Sequence, residues 1–553
     1  MITKIFKKKI ILLILLLIIL SFQCFLYAQK VGESVNVKIR VVEENTQQIT
    51  PVMVCITSTE DGQVRVPPFG VIPKSSSDMN MFFQGIDFKR DKSWTGPVRK
   101  MTSTGIPGFY SFAYRDLPSL PYWSDPVMYQ TSGDFTIELP PGKWRIGLEH
   151  GNEYIPVHEE FILSSKEKEF TKTFILKRWI DLPNRGWYSG DIHVHHPTNK
   201  PEFKEFLLDY AKAEDVHMVN LLEMGDHHVT EFKQEGFGNK FRTRKDDIIL
   251  VSGQEDPRST YGHIIGLNIN QLARDTSAYN YYDLVFKMLH SQPGALAGFA
   301  HFAWNGNGTP MGCPLYLRPG EIDFVELLQN SHINTQEYYE YLNLGLRLTA
   351  AAGSDFPWGC TLGEVRTFVY TGNEFSADTW FAGLKAGRTF VSNGPALFLE
   401  IDGKLPGSEV MKPGGSKSEL TLKAISNPAI GNINQIAIYH NDGLLFEKTN
   451  PEKLDSLDIK LTLTLNKSQW VAAVVYCDNG AVAHTTPVYI IVDGHPTWDA
   501  KTASNIVYRH LGAIKVMEDM EKASLFRDEG ILNRLEISHK YYSNLLFEID
   551  AEQ

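Results

Sequence analysis

Between Gly186 and Pro395, short apolar runs alternate with stretches of helical period, and histidines or carboxylates recur where the runs end. No other feature limits the fold so tightly. Residues 216–222, 248–252, 264–267, 295–300, 322–328 and 348–352 have the length and apolar character of buried strands. Between the first motifs, Phe203, Phe206, Leu207, Tyr210 and Ala211 recur at helical spacing behind Pro201, a residue that a helix accepts in its first turn. Residues 281–291, 336–346 and 377–386 read as further helices. Repeated alternation of this kind implies parallel strands joined by crossover helices, in a barrel or an open sheet.

Both flanks have a different period. Val35, Val37, Ile39 and Val41 alternate with polar residues, and two alternating strands surround Pro140-Pro-Gly, so the region to about residue 182 reads as a small β-sandwich. Residues 65–130, rich in Pro, Ser, Gly and aromatics, receive no assignment. Beyond residue 395, strand patterns at 420–424, 435–440, 457–465 and 470–476 and the turns Asn441-Asp-Gly and Asp478-Asn-Gly predict a second sandwich. The last fifty or so residues are polar and helical, but Leu532, Leu535 and Ile537 define no face. The expected division is a signal peptide at 1–28, a β-sandwich at 29–182, a catalytic domain at 183–395, a β-sandwich at 396–495 and a helical tail at 496–553.

The signal peptide rests on Lys4, Lys7, Lys8 and Lys9 ahead of an apolar run from Ile10 to Leu20, with Ala28 as the small residue for cleavage. That run is too short for a comfortable membrane span. The expectation is therefore export to the periplasm or beyond, with no stable membrane insertion after cleavage. Removing those four lysines leaves 50 basic against 65 acidic side chains, a net charge of −15 where the full chain has −11. Such a surface is ill suited to nucleic acid, which needs cations to neutralise its phosphates. Cys55, Cys313, Cys360 and Cys477 are too few and scattered for a disulfide framework or a thiolate zinc site. Cys313 and Cys360 could form a pair or remain two thiols. Nothing in the sequence fixes the oligomeric state.

The chemistry-bearing residues begin with Gly190-Asp-Ile-His-Val-His-His. On a strand, His193 and His195 project to the same side about 7 Å apart, and two such imidazoles can grip a divalent ion. His196 then points the other way. Gly225-Asp-His-His follows the next strand, Gly253-Gln-Glu-Asp the one after, and His263 heads another. His301 closes the run ending at Ala300, and Ala351-Ala-Gly-Ser-Asp355 closes the last. A mixture of imidazole and carboxylate suits zinc, manganese or iron. Glu326 and Asn330 stand near another strand end, Arg366 and Arg388 are candidates for clamping an anionic substrate group, and His332 belongs to no motif.

The order of these motifs resembles the polymerase and histidinol phosphatase (PHP) superfamily, and within it the CehA/McbA-type metallohydrolases, over about residues 186–395. The resemblance implies a distorted (β/α)7 barrel, flanked here by the N- and C-terminal β-sandwiches. It implies metal ligation by His193, His195, His227, Glu255, His263, His301 and Asp355. The acidic residue that the family carries soon after its opening pair is missing from 197–200, Pro357 stands where a further His is usual, and Phe302 replaces a Pro. These departures reduce the implied complement from three ions to one or two divalent cations.

The expected activity is metal-dependent hydrolysis of a small-molecule or glycan-derived ester, phosphoesters first and carboxylic or carbamate esters second. Glu255 would bridge ions, Asp355 would ligate and accept a proton, and His301 or His227, if left partly uncoordinated, would protonate the leaving group. The alternative from another class is a secreted carbohydrate-binding protein built on a degenerate barrel.

Overall fold

A computed structural model describes residues 34–60, 64–65, 129–225, 230–304, 309–329, 332–356, 362–498 and 500–552. The expected signal peptide lies outside these residues, as do Asp226, His227, Asn330, Pro357 and Cys360. Among the described residues, no helix is long and apolar enough to cross a membrane. Cys55, Cys313 and Cys477 are buried thiols, none of them in a disulfide.

The N-terminal region folds into two sheets. One has strand order Asp134–Leu139, Val35–Glu43, Glu169–Arg178, Tyr154–Ile155, and the other is built around Val52–Ser58 and Gly142–Glu149. The alternation of Val35, Val37, Ile39 and Val41 puts these side chains in the core, while Asn36, Lys38 and Arg40 face solvent. This core does not close on itself. It runs on through Leu207, Tyr210 and Ala211 of helix α1 (Pro201–Ala213) to Val219 and Leu221 of the central sheet.

The central strands are β1 (Trp187–Val194), β2 (Met218–Gly225), β3 (Ile248–Ser259), β4 (Gly262–Leu267), β5 (Leu296–Phe299), β6 (Phe324–Gln329), β7 (Thr349–Ala352), β8 (Arg366–Tyr370) and β9 (Thr389–Ser392). They pair in the order β9-β8-β1-β2-β3-β4-β5-β6-β7. The ladders β1–β2, β2–β3, β5–β6 and β6–β7 are parallel. The ladders β3–β4, β4–β5, β8–β1 and β8–β9 are antiparallel.

This arrangement overturns the (β/α)7 barrel. The reason is visible in the β3–β4 connection. β3 continues through Glu255 to Ser259, and only Thr260 and Tyr261 separate it from β4. Two residues make a hairpin, whereas a parallel crossover needs about a dozen. The central strands belong instead to one mixed eighteen-stranded sheet. β9 pairs antiparallel with Val482–Thr485, and the sheet continues through Gln469–Cys477 and Ile433–His440 of the C-terminal region. A separate three-stranded sheet of Ala396–Ile401, Ser416–Ile425 and Ser456–Leu465 shares a core with Trp187, Phe368 and Phe390.

Helices α2 (Tyr282–His290), α3 (Thr309–Tyr316), α4 (Thr335–Asn343) and α5 (Ala377–Lys385) link the central strands. The tail forms two long helices, α6 (Ala500–Ala523) and α7 (Glu529–Glu552), packed against α3 and α4. Ile531, Leu535, Ser538, Tyr542, Leu545 and Ile549 give α7 a regular buried face, and Ser538 Oγ donates to the Leu315 carbonyl at 2.7 Å. The sequence hid this face because Ser538 and Tyr542 are polar members of it.

Candidate metal centre

β1 is buried on both sides, and its Asp191 fixes the strand end. That carboxylate accepts from the backbone N–H groups of His193 at 3.1 Å, Ser354 at 3.0 Å and Gly363 at 2.9 Å. Burial pushes its pKa up to about 6, partly offset by these donors and by the Ser354 hydroxyl. Asp191 thus ties the His193–His195 strand end to the segment carrying Asp355. Gly353 is needed for the same approach: a Cβ there would meet the Cβ of His193 and lie 2.5 Å from Glu326 Oε1. His301 and Asp355 both have positive φ, 56° and 55°. Left-handed backbone at two non-glycine positions is strain of the kind held in place at functional sites.

The two imidazoles of β1 face each other, with His193 Nε2 and His195 Nε2 3.0 Å apart. Each ring has its other nitrogen committed. His193 Nδ1 donates to Glu326 Oε1 at 3.0 Å, and His195 Nδ1 donates to the Leu222 carbonyl at 3.1 Å. A carbonyl can only accept, so Nδ1 of His195 carries the proton and its neutral ring keeps a lone pair on Nε2. The Glu326 carboxylate imposes the same tautomer on His193. Two lone pairs therefore converge on one point, the arrangement by which supporting acceptors orient metal-binding histidines.

Carboxylates complete the point of convergence. Asp355 Oδ1 lies 3.3 Å from His193 Nε2 and 3.4 Å from His195 Nε2. Glu255 places Oε1 3.6 Å from His193 Nε2 and Oε2 3.3 Å from His195 Nε2. Its Oε1 also lies 2.7 Å from His263 Nδ1 and 3.1 Å from His301 Nε2. Two sets of three converging ligand atoms result, His193 with Glu255 and His301, and His193 with His195 and Asp355. Gln329 supports both sets, receiving the Nδ1 proton of His301 on Oε1 at 3.0 Å and donating Nε2 to Asp355 Oδ2 at 3.2 Å.

The electrostatics follow from three carboxylates in a buried site. Burial opposes charging of His193, but Glu326, Asp355 and Glu255 outweigh it and hold its pKa well above the usual histidine value. His195 is raised against burial by Asp355 and Glu255. His301, opposed by burial, is raised to about 9 by its hydrogen bond to Glu255 and by the charges of Asp355 and Glu255. Burial would raise Glu255, yet His263, Arg258 and His193 pull it well below the ordinary carboxylate range. The site demands positive charge, which protons on imidazoles or a divalent cation can supply. The acceptors on Nδ1 hold a proton there in either case; further protons would occupy the facing Nε2 atoms, whereas a cation would use their lone pairs.

The structure brings together His193, His195, Glu255, His263, His301 and Asp355. His227 lies outside the described residues. The two arginines expected to clamp substrate are elsewhere. Arg366 is fully buried and donates to the carbonyls of Gly363, Asp215 and Glu214 at 2.6, 2.9 and 2.6 Å, so its guanidinium is taken up by backbone and not by the cluster. Arg388 is exposed between α5 and β9, distant in the chain from every strand end of the cluster. His196 is buried against Phe203 and Phe206, and burial lowers its pKa to about 4.

Sequence reasoning gave no role to Arg258 or Gln329 and only a marginal one to Glu326. Arg258 holds Nε 3.1 Å from Glu255 Oε2, a charge contact rather than an aligned hydrogen bond, and its side chain is 30% exposed. Arg258 belongs to no motif of the sequence, and only the continuation of β3 to Ser259 brings it beside Glu255. Glu326 carried one available signal, a carboxylate inside an otherwise apolar run.

No family model matches the chain, and no curated protein does. Among solved structures, the chain is similar to the fibronectin(III)-like modules of Clostridium thermocellum CbhA at 15% identity, covering 18% of this chain and 97% of that one with a TM-score of 0.14. It is also similar to the CARDB domain of a Pyrococcus furiosus protein in complex with di-metal ions, at 20% identity, 18% and 89% coverage, and a TM-score of 0.13. A superoxide reductase (neelaredoxin) from Ignicoccus hospitalis matches at 17% identity, 18% and 81% coverage, and a TM-score of 0.14. Likenesses at these scores carry no argument about the chemistry of this chain.

Proposed function

We propose that this chain is an exported metal-dependent hydrolase of ester bonds, with phosphoesters as the first substrate class and carboxylic or carbamate esters as the second. The observation that carries the reading is the 3.0 Å approach of two Nε2 atoms, each ring oriented by an acceptor on its Nδ1. The likeness of the motifs to those of PHP metallohydrolases supports the same chemistry, and the lysine-flanked apolar N-terminus supports export.

His193, His195, Glu255, His301 and Asp355 would hold one or two divalent ions, zinc, manganese or iron, with His263 as a further ligand to Glu255's side of the cluster. Such an ion supplies hydroxide near neutral pH and withdraws charge from the ester oxygen. The protein's part is orientation and proton handling. Glu255 faces both ligand sets, one oxygen towards His193, His263 and His301 and the other towards His195 and Arg258. Asp355 is the more accessible carboxylate, with 18% of its side chain exposed, and where Glu255 and His301 would hold the ion with His193, its Oδ1 would be left to accept a proton. Where the ion takes His193, His195 and Asp355, the His301 ring would stay uncoordinated, and with Nδ1 held by Gln329 its Nε2 would carry the proton donated to a leaving oxygen. Arg258 presents a guanidinium beside Glu255 where an anionic substrate group can be received.

Metal analysis of purified protein, followed by an ester and phosphoester screen with added zinc or manganese, tests this reading. Glu255→Gln keeps the size of the side chain but removes the charge, and kcat should fall at least about a hundredfold, roughly 2.7 kcal/mol of transition-state stabilisation. Bound metal should fall with it. Wild-type turnover and metal stoichiometry in this variant would remove Glu255 from the centre.

A further inference from the structure

Beside the cluster stands a pair of rings that the mechanism does not use. Trp304 and His332 are stacked, with centroids 3.9 Å apart and planes inclined by 25°. Both are tied to residues that touch the centre. The backbone N–H of Trp304 donates to the His301 carbonyl at 2.9 Å, closing a tight turn directly after that ligand. His332 is paired antiparallel with Gln329. Residues directly opposite in such a pair have side chains on the same face, with Cβ atoms about 5 Å apart. His332 therefore stands beside the side chain that bridges His301 and Asp355.

His332 is exposed and Trp304 half-buried. Among the described residues, neither the indole N–H nor either imidazole nitrogen has a hydrogen-bond partner. The pair therefore presents to water both a ring surface and polar edges that a ligand can take over. A purely apolar or aryl group would use the surface and leave the edges wasted. A pyranose ring uses both, setting its C–H face on the stack while its hydroxyls take the indole N–H and the imidazole, which both donates and accepts.

We infer that Trp304 and His332 form a sugar-binding platform at the mouth of the centre, so that the substrate is an ester of a sugar, with the sugar on the leaving side next to His301. This inference rests on the hydrolase reading for the word substrate but not for the binding itself. The two can therefore fail separately.

The test uses the metal-loaded full chain and three phosphate esters: glucose 6-phosphate, propyl phosphate and 4-nitrophenyl phosphate. In Trp304→Ala, the ratio of kcat/KM for glucose 6-phosphate to that for propyl phosphate should fall about tenfold, the size of one lost aromatic contact. The loss should sit in KM, and Trp304→Phe should restore most of it. His332→Ala should lower the same ratio severalfold. Saturation-transfer NMR with glucose 6-phosphate needs no turnover. It should show transfer to the sugar C–H protons in the wild type and lose it in Trp304→Ala at unchanged metal content. Sugar transfer without hydrolysis of any ester would retain the platform and remove the hydrolase. Absence of sugar transfer in the wild type, an equal loss on all three esters, or a greater loss on 4-nitrophenyl phosphate would overturn the platform.

Discussion

Glu326 offers the sharpest test of how this site is organised, because it touches no substrate and is wholly buried. Its two oxygens receive different donors, Nδ1–H of His193 at 3.0 Å and the backbone N–H of His301 at 2.6 Å. In Glu326→Gln, one of those acceptors becomes an NH2 group. The backbone N–H of His301 cannot reverse its role, so the amide oxygen must stay with it and the NH2 group must face His193. Two donors cannot share a contact, and the remedy open to His193 is to move its proton from Nδ1 to Nε2. That places hydrogen on the atom facing His195 and Asp355, where the lone pair for metal is needed. Loss of a supporting partner costs about ten- to a hundredfold in metal affinity, and a reversed tautomer places this variant near the upper end, about 2.7 kcal/mol. Zinc affinity measured against a chromogenic chelator gives the effect. The nitrogen-15 shifts of His193 report the tautomer directly, and the unfolding temperature shows whether the fold is intact. A folded variant whose affinity is within about twofold of wild type would refute the claim that Glu326 sets the ring.

Two further predictions concern packing and acid sensitivity. Gly353→Ala forces a methyl group against His193 and Glu326, so it should cost about 1–3 kcal/mol of stability by thermal unfolding and lower metal content in elemental analysis, whereas retention of both would deny the tight approach. His484 is fully buried, donates Nδ1–H to the Thr485 carbonyl at 2.7 Å, accepts from the Tyr339 hydroxyl on Nε2 at 2.7 Å, and is lowered by burial to about 4. Because its folded pKa lies below the unfolded value of 6.5, the unfolded chain takes up the proton first, and stability falls as pH drops from about 6.5 towards 4. That single group accounts for roughly 3 kcal/mol by pH 4, so the fall in urea-unfolding free energy between pH 7 and pH 4 should be about that much smaller in His484→Gln; an unchanged fall would show that the ring is already protonated or reachable by water.

What could be read from the sequence divides along a physical line. Local alternation marks roughly where strands lie, so His193, His195, Glu255, His263, His301 and Asp355 could be singled out from the sequence, although Glu255 sits within β3 and His263 at the start of β4. Strand direction is not encoded in apolar runs. Residues 264–267 look the same whether they follow a crossover or a hairpin, and only the two-residue link at Thr260-Tyr261 distinguishes the cases. Partners across the chain were equally hidden. Arg366 has the charge to clamp an anion, but its guanidinium is consumed by three carbonyls. Gln329 bridges two candidate ligands without belonging to any spacing, and the buried side of α7 passes through Ser538 and Tyr542, which a hydropathy pattern discounts.

The ladder between β9 and Val482–Thr485 makes the change of pattern at residue 395 a boundary of composition and not a seam in the fold. Cutting the chain there would bare the edge of β9, leaving its backbone amides and carbonyls to seek another strand. It would also strip the cover from Trp187, Phe368 and Phe390, which share a core with the C-terminal strands. β8, next to β9, is in turn the immediate neighbour of β1. The histidine-bearing strand is thus two ladders removed from that edge, so a chain cut at residue 395 would carry the disturbance of an unpaired β9 to within two strands of the centre.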